Sequence, residues 1–403
     1  MTAMDAGHAA ALDAADPLAS FRDRFVVHEP ELVYLDGNSL GRLPRATAAR
    51  LRTVVDEEWG GELIRGWDHW LDEPLRVGDR LAPLIGARPG EVAVSDSTTV
   101  NFYKVALAAL EARPGRRALV TDRDNFPTNR YVLEGLASQR GLEIRWLEGD
   151  PIEGPKAADL GPLVDEDVAL VTFSLVNYRS AALADLASIT ATAHAAGALV
   201  VWDLSHAAGA VLVDLEGGEA DLAVGCTYKY LNAGPGAPAF LYVRRALQGE
   251  LRNPIQGWFA QREQFSMGQG FDPVDGIGAW LAGTPGVVSL AGVDEGVALV
   301  AEAGMAGIRA KSVALTEYAV ALHDAWLAPL GFSLGTPRDP ARRGSHVAVR
   351  HPDARRLCAL LIGRGVVPDF RAPDSIRLGF SPLTTSFTQV RTGLAVLREL
   401  AAD

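Results

Sequence analysis

One lysine stands where the chain could do covalent chemistry. In Cys226-Thr-Tyr-Lys-Tyr-Leu-Asn-Ala-Gly-Pro-Gly236, Lys229 lies on the turn between two short apolar runs, Leu222–Cys226 and Ala239–Val243, that read as buried strands. A lysine at the edge of an apolar wall loses hydration, which lowers its pKa and frees its amine for Schiff-base formation. Upstream, Val200-Val-Trp-Asp-Leu-Ser-His206 reads as a strand that delivers Asp203 at its C-terminal end, with His206 just beyond. In open α/β sheets that end is the ligand-binding rim.

The usual aldehyde partner of such a lysine is pyridoxal phosphate. It needs an acid opposite its ring nitrogen, an aromatic or apolar sandwich, and a helix N-terminus for its phosphate. Asp203 suits the first need. For the third, Val92–Ser95 reads as a strand and Asp96–Thr99 as a turn, followed by an apolar-rich helix from Val100 to Ala112. Amides at such a helix start point outward unpaired, and the dipole and the Thr98 and Thr99 hydroxyls favour an anion. Taken singly, Lys229 is a solvated loop lysine, Asp203 a helix cap, and the Ser/Thr cluster an ordinary N-cap. Lysine and aspartate together, with the small-residue run Ala233–Gly236 behind them, favour a cofactor site.

Four segments in order make the pattern specific: Tyr34-Leu-Asp-Gly-Asn-Ser-Leu-Gly41, the lysine segment, Gly257-Trp-Phe259, and Ile376-Arg-Leu-Gly-Phe-Ser-Pro382. From about Tyr34 to about Phe387 the chain resembles the kynureninases. The resemblance implies a pyridoxal phosphate-dependent enzyme of the aspartate aminotransferase type (fold type I) that hydrolyses L-kynurenine, or its 3-hydroxy derivative, to anthranilate or 3-hydroxyanthranilate and L-alanine. It implies a cytoplasmic homodimer in tryptophan catabolism.

Residue by residue, the resemblance implies that Lys229 carries the cofactor and acts as base, Asp203 faces the ring nitrogen, and Tyr228 binds phosphate and relays a proton. It assigns Thr98 and Thr99 to the phosphate and Phe126, in Asn125-Phe-Pro-Thr-Asn129, to stacking on the ring, with Thr128, Asn129, Ser174 and His206 nearby. Trp258 and Thr284 also reach the phosphate, from the same or the neighbouring subunit. Asn38, Ser39 and Trp67 lie beside the substrate, and Arg377 grips its α-carboxylate, a task suited to the guanidinium fork. Asn129, Thr284 and Thr384 stand where other members carry aspartate, asparagine and tyrosine. A serine like Ser174 is as readily a satisfied strand end, and a strand arginine without the motif would be a surface ion pair.

Several elements must hold these residues. Strand-like runs at Ala118–Thr121, Ile144–Leu147, Val168–Ser174 and Ala198–Asp203 alternate with helical stretches, which predicts an α/β fold with a mostly parallel sheet covered on both faces. Helical periodicity over Val287–Val300 and Met305–Leu327 leads to a smaller α/β C-terminal domain with strands at His346–Arg350, Val366–Phe370 and Ser375–Gly379. We divide the chain into an N-terminal segment, 1–60, packing with the small domain, a large cofactor domain, 61–290, and a small domain, 291–403. Asp36–Ser39 reads as an exposed turn, Trp59, Trp67 and Trp70 as core, and Met1–Asp16 as a frayed tail without the basic region of a signal peptide.

Composition sets outer bounds. The 403 residues carry a formal charge of −12, and no basic tract offsets it, so neither nucleic acid nor an anionic membrane is expected as partner. Two cysteines, Cys226 and Cys358, exclude a disulfide framework and fit a reducing compartment, while the scattered histidines imply no metal. Rival readings are a cysteine desulfurase or selenocysteine lyase, which would need a reactive thiol, an aminotransferase, and a non-catalytic pyridoxal-binding protein. Cys358, in an apolar helical context, suits packing better than attack.

Overall fold

The structure, a computed structural model, describes residues 5–402. Seven strands form its central sheet: β1 (Val92–Val94), β2 (Ala118–Asp122), β3 (Glu143–Leu147), β4 (Val168–Ser174), β5 (Leu199–Asp203), β6 (Leu222–Gly225) and β7 (Phe240–Val243). Their spatial order is β1-β7-β6-β5-β4-β2-β3, and β7 alone runs antiparallel to its neighbours. Side chains alternate between two cores. Val200 and Trp202 of β5 join one, with Val171 and Phe173 of β4, while Leu199 and Val201 join the other, with Leu222 and Val224 of β6. Burial on both faces explains why these strands read as continuous apolar runs.

A second sheet is antiparallel, in the order β10-β11-β9-β8, from β8 (Ser333–Leu334), β9 (His346–Arg350), β10 (Asp369–Arg371) and β11 (Ser375–Gly379). It has its own core, which takes in Leu357, Leu361, Leu378, Val390 and Leu394. The helix Val287–Ala303 places Leu290, Val293 and Val297 in the large core. After Gly304, at φ +76°, the helix Met305–Leu322 places Leu315, Tyr318 and Ala319 in the small one, so this pair connects the two.

The N-terminal stretch is no frayed tail over its described part. Ala6–Ala14 is helical, and Ala9 lies in the small core. Asp13 caps the helix Phe387–Ala402 by accepting from the Phe387 and Thr388 amides at 2.8 and 3.0 Å. Asp16, buried, pairs with buried Lys311 at 2.7 Å. These ties depend on residues far along the chain, which is why local composition misses them. Val33–Tyr34 then pairs in parallel with Val366–Val367. Met1 to Met4 lie outside the described residues.

Candidate functional site

Register builds the centre of the site. On adjacent parallel strands Asp203 pairs with Ser174 on one side and Val224 on the other, so β4, β5 and β6 end together. Beyond those ends lies a cavity of about 190 Å³ lined by Thr98, Thr99, Phe126, Asp203, His206 and Lys229. Thr128, Asn129, Ser174 and Tyr228 line it too. Ten of the residues predicted from sequence thus share one chamber.

Lys229 Nζ is buried, 3.3 Å from His206 Nε2 and 3.4 Å from Nδ1. Burial pushes its amine below the ordinary lysine range, partly opposed by Cys226 and Asp203. Burial, then the lysine charge, holds His206 well below its usual value, so its ring is neutral. Phe126 packs edge-on against Tyr178 at 5.3 Å between centroids, and Lys229 Nζ lies 5.8 Å from the Phe126 centroid. Burial raises the Tyr228 phenol, which therefore keeps its proton.

The carboxylate of Asp203 is fixed from both ends. Its Oδ2 accepts from Asn129 Nδ2 at 2.8 Å and its Oδ1 from the Ser205 amide at 2.8 Å. Behind it stands Asn125, whose Oδ1 accepts from the Phe126 amide at 2.8 Å, from Ser174 Oγ at 3.1 Å and from Asn129 Nδ2 at 3.4 Å. Asn125 therefore ties three residues singled out from sequence into one network. The reading of its motif named the aromatic and passed over the amide, although an asparagine before a helix start is a turn-forming signal.

At the opposite wall the helix Thr98–Glu111 begins with Ser97 as its cap, Oγ accepting from the Val100 amide at 3.3 Å. The Thr98 and Thr99 amides have no acceptor among the described residues and open toward the cavity. Asp96, at φ +51°, turns the chain into the helix and accepts from buried Lys104 at 3.0 Å.

Arg377 lies fully buried beside this chamber. Its Nη1 donates to the Tyr178 carbonyl at 2.6 Å and its Nη2 to Ser39 Oγ at 2.9 Å. With the Asn38 amide turned so that its nitrogen meets Asp36 Oδ1 at 3.3 Å, its oxygen accepts from Arg377 Nε at 2.7 Å. The predicted exposed turn at Asp36–Ser39 is thus corrected: Asn38 is buried, clamped between the arginine and Gly379, where a Cβ would overlap the amide. A polar turn sequence carries no sign of a charged partner more than three hundred residues away.

Three candidates lie elsewhere in the chain. Trp67 and Thr284 line a larger apolar cavity, about 590 Å³, with Trp59, Trp70 and Pro285. Trp258 packs against Trp67 and Phe259, at 6.3 and 5.1 Å between centroids. Lys229 does not line this larger cavity, and none of the three lines the chamber that holds it. Of the three tryptophans read as core, Trp70 is buried, whereas Trp59, on the helix Val54–Glu62, is 59% exposed. Sequence reading also missed Tyr178, Ser205 and buried His346, whose ring lies 5.7 Å from that of His206.

Comparison with known proteins agrees with this architecture. Residues 76–352 match the model of the class-V aminotransferases and residues 308–397 that of the kynureninase C-terminal domain. Among solved structures, the apo cysteine desulfurase from Thermococcus onnurineus NA1 is similar at a TM-score of 0.80 and 19% identity, covering 92% of this chain and 95% of that one. A cysteine desulfurase from Escherichia coli is similar at 0.77 and 19%, covering 96% and 97%. A kynureninase of Pseudomonas fluorescens is 45% identical over 398 residues, 97% of this chain and 94% of its own. One of Burkholderia pseudomallei (strain 1106a) is 45% identical over 400 residues, again 97% and 94%. At that identity over almost the whole length, and with one fold shared throughout, the chain belongs to the kynureninase family.

Proposed function

We propose that this protein hydrolyses the Cβ–Cγ bond of L-kynurenine, giving anthranilate and L-alanine, with pyridoxal phosphate as cofactor. The observation that carries the reading is the meeting of buried Lys229, doubly anchored Asp203 and the open helix start at Thr98–Thr99 around one cavity beside Arg377. These groups fit the cofactor: a lysine amine to hold its aldehyde carbon, a carboxylate to meet its ring nitrogen, and unpaired amides to meet its phosphate. Bound there, pyridoxal phosphate supplies a sink for the electron pair released at a substrate carbon.

The chain's own residues do the rest. Asp203, held by Asn129 and Ser205, presents its carboxylate without rotation. Lys229, its basicity lowered by burial, is the base that takes a proton from Cα and returns one. Tyr228 keeps its phenolic proton and is the donor on the same wall, and Phe126 supplies an apolar face. Arg377, with Asn38 and Ser39, is the anchor for the α-carboxylate.

A desulfurase reading fails on its nucleophile. Both thiols are buried, burial raises Cys226, and Cys358 is pushed up to about 11, so neither offers a thiolate at neutral pH. We further propose a cytosolic homodimer in which the apolar face around Trp59, Trp67 and Thr284 meets a second copy. Supporting this, Trp59, Leu63 and Ile64 stand exposed together on that side, and among the described residues no helix is long and apolar enough to cross a membrane.

The deciding experiment is product analysis. Incubation with L-kynurenine and pyridoxal phosphate should release fluorescent anthranilate and equimolar alanine without an added keto acid. Sulfide from cysteine, or a requirement for a keto acid, would replace this reading with a desulfurase or an aminotransferase.

A further inference from the structure

Arg377 has a difficulty as sole anchor for a carboxylate. A guanidinium has five N–H donors, and a bidentate grip needs two adjacent ones. Here Nε serves Asn38, one Nη1 proton serves the Tyr178 carbonyl, and Nη2 serves Ser39 Oγ and lies 2.6 Å from Asp369 Oδ2. Only one Nη1 proton is left, and no adjacent pair is free.

The strand next door offers a remedy. In the antiparallel pair β10–β11, Asp369 lies opposite Arg377 and Arg371 opposite Ser375. Residues two apart on a strand share a face, so Arg371 stands on the same side as Asp369 and Arg377. Its Nη2 lies 2.9 Å from Asp369 Oδ2, the same oxygen that Arg377 approaches. Its Nε is buried with no hydrogen-bond partner among the described residues, and its side chain keeps about a third of its surface open. Its charge reaches Lys229 and His206, pushing both toward their neutral forms.

We propose that Arg371 is a second substrate-binding guanidinium, and that Asp369 bridges it to Arg377 as an internal stand-in for the α-carboxylate. The incoming carboxylate takes the place of Asp369 on Arg377 Nη2 and receives a further hydrogen bond from Arg371, while Asp369 stays paired to Arg371. No bond is made or broken; one ion pair is exchanged for another. The inference rests on the kynurenine-cleaving reading given above, which anthranilate release by the wild-type enzyme checks separately before any variant is made.

The test uses the loaded enzyme and three variants. Arg371→Gln should raise KM for kynurenine about 10–100-fold, with most of the loss in KM rather than kcat. It should leave the inhibition constant of the decarboxylated amine of the same substrate within about twofold of wild type. Arg371→Lys, which keeps the charge but not the fork, should fall between. Asp369→Asn, which removes the competing anion, should tighten L-alanine binding, read from the cofactor's absorbance. An unchanged KM in Arg371→Gln, equal weakening of substrate and decarboxylated amine, or weaker alanine binding by Asp369→Asn would each overturn the proposal. If Arg371→Gln does not fold, the other two variants decide it.

Discussion

Asp122, at the end of β2 just before the loop that carries Asn125 and Phe126, is buried, with one carboxylate oxygen unpartnered among the described residues. Burial, reinforced by Asp124, pushes its carboxyl from 3.8 up to about 7. The sign follows from linkage. As pH rises through about 4 the unfolded chain releases this proton while the folded chain keeps it until about 7, so stability falls across that window and stays low above it. At about 1.4 kcal/mol per pH unit the penalty is about 4 kcal/mol at pH 8 and about 2 kcal/mol at pH 5. Asp122→Asn removes the titration but adds an amide whose cost does not depend on pH. The variant should therefore gain about 2–3 kcal/mol on wild type between pH 5 and pH 8. For a chain of this size, unfolding as one unit, that is a relative rise in Tm of about 3 °C. Scanning calorimetry of both proteins at several pH values measures it. A difference in Tm that stays flat from pH 5 to pH 8 would refute the buried-carboxyl account.

Three further outcomes follow from contacts described above. Tyr228→Phe should cut turnover about 10²–10⁴-fold while cofactor occupancy, read by absorbance, changes far less; unchanged turnover would reject the proton-transfer role. Asn125→Leu strips acceptors from Ser174, Asn129 and the Phe126 amide, and at about 1–3 kcal/mol per stranded buried group it should weaken cofactor affinity at least tenfold by titration. Asp16→Asn leaves Lys311 buried without its carboxylate and should cost about 3–5 kcal/mol in stability, seen as a lower Tm with kcat intact.

What the sequence made legible was whatever is local or repeats along the chain. The strands from Val168 and Leu199 were visible as apolar runs, and Lys229 and Asp203 as polar residues placed at their ends. The Thr98 helix start followed from a Ser/Thr cluster before an apolar stretch. What stayed hidden depends on partners distant in sequence. The burial of Asn38 needs Arg377, the order of the first helix needs the capped end of the last, and the pairing of Arg371 with Asp369 needs strand register. Trp67, Trp258 and Thr284 sit in local motifs, yet the first and last line a cavity without Lys229 and Trp258 packs on Trp67.

The thread from Val33 to Gly41 has a consequence for how the molecule is made. Val33 lies in register with Val366, Ser39 accepts from Arg377, and the Gly41 amide donates to the Tyr228 carbonyl at 2.8 Å. During synthesis, at roughly 5–20 residues per second, the opening residues must wait tens of seconds for those partners to leave the ribosome. The wide sheet can assemble first, so the pocket for the ring is drafted early, while the proposed grip on the amino acid is completed only once the segment from Val366 to Arg377 has emerged.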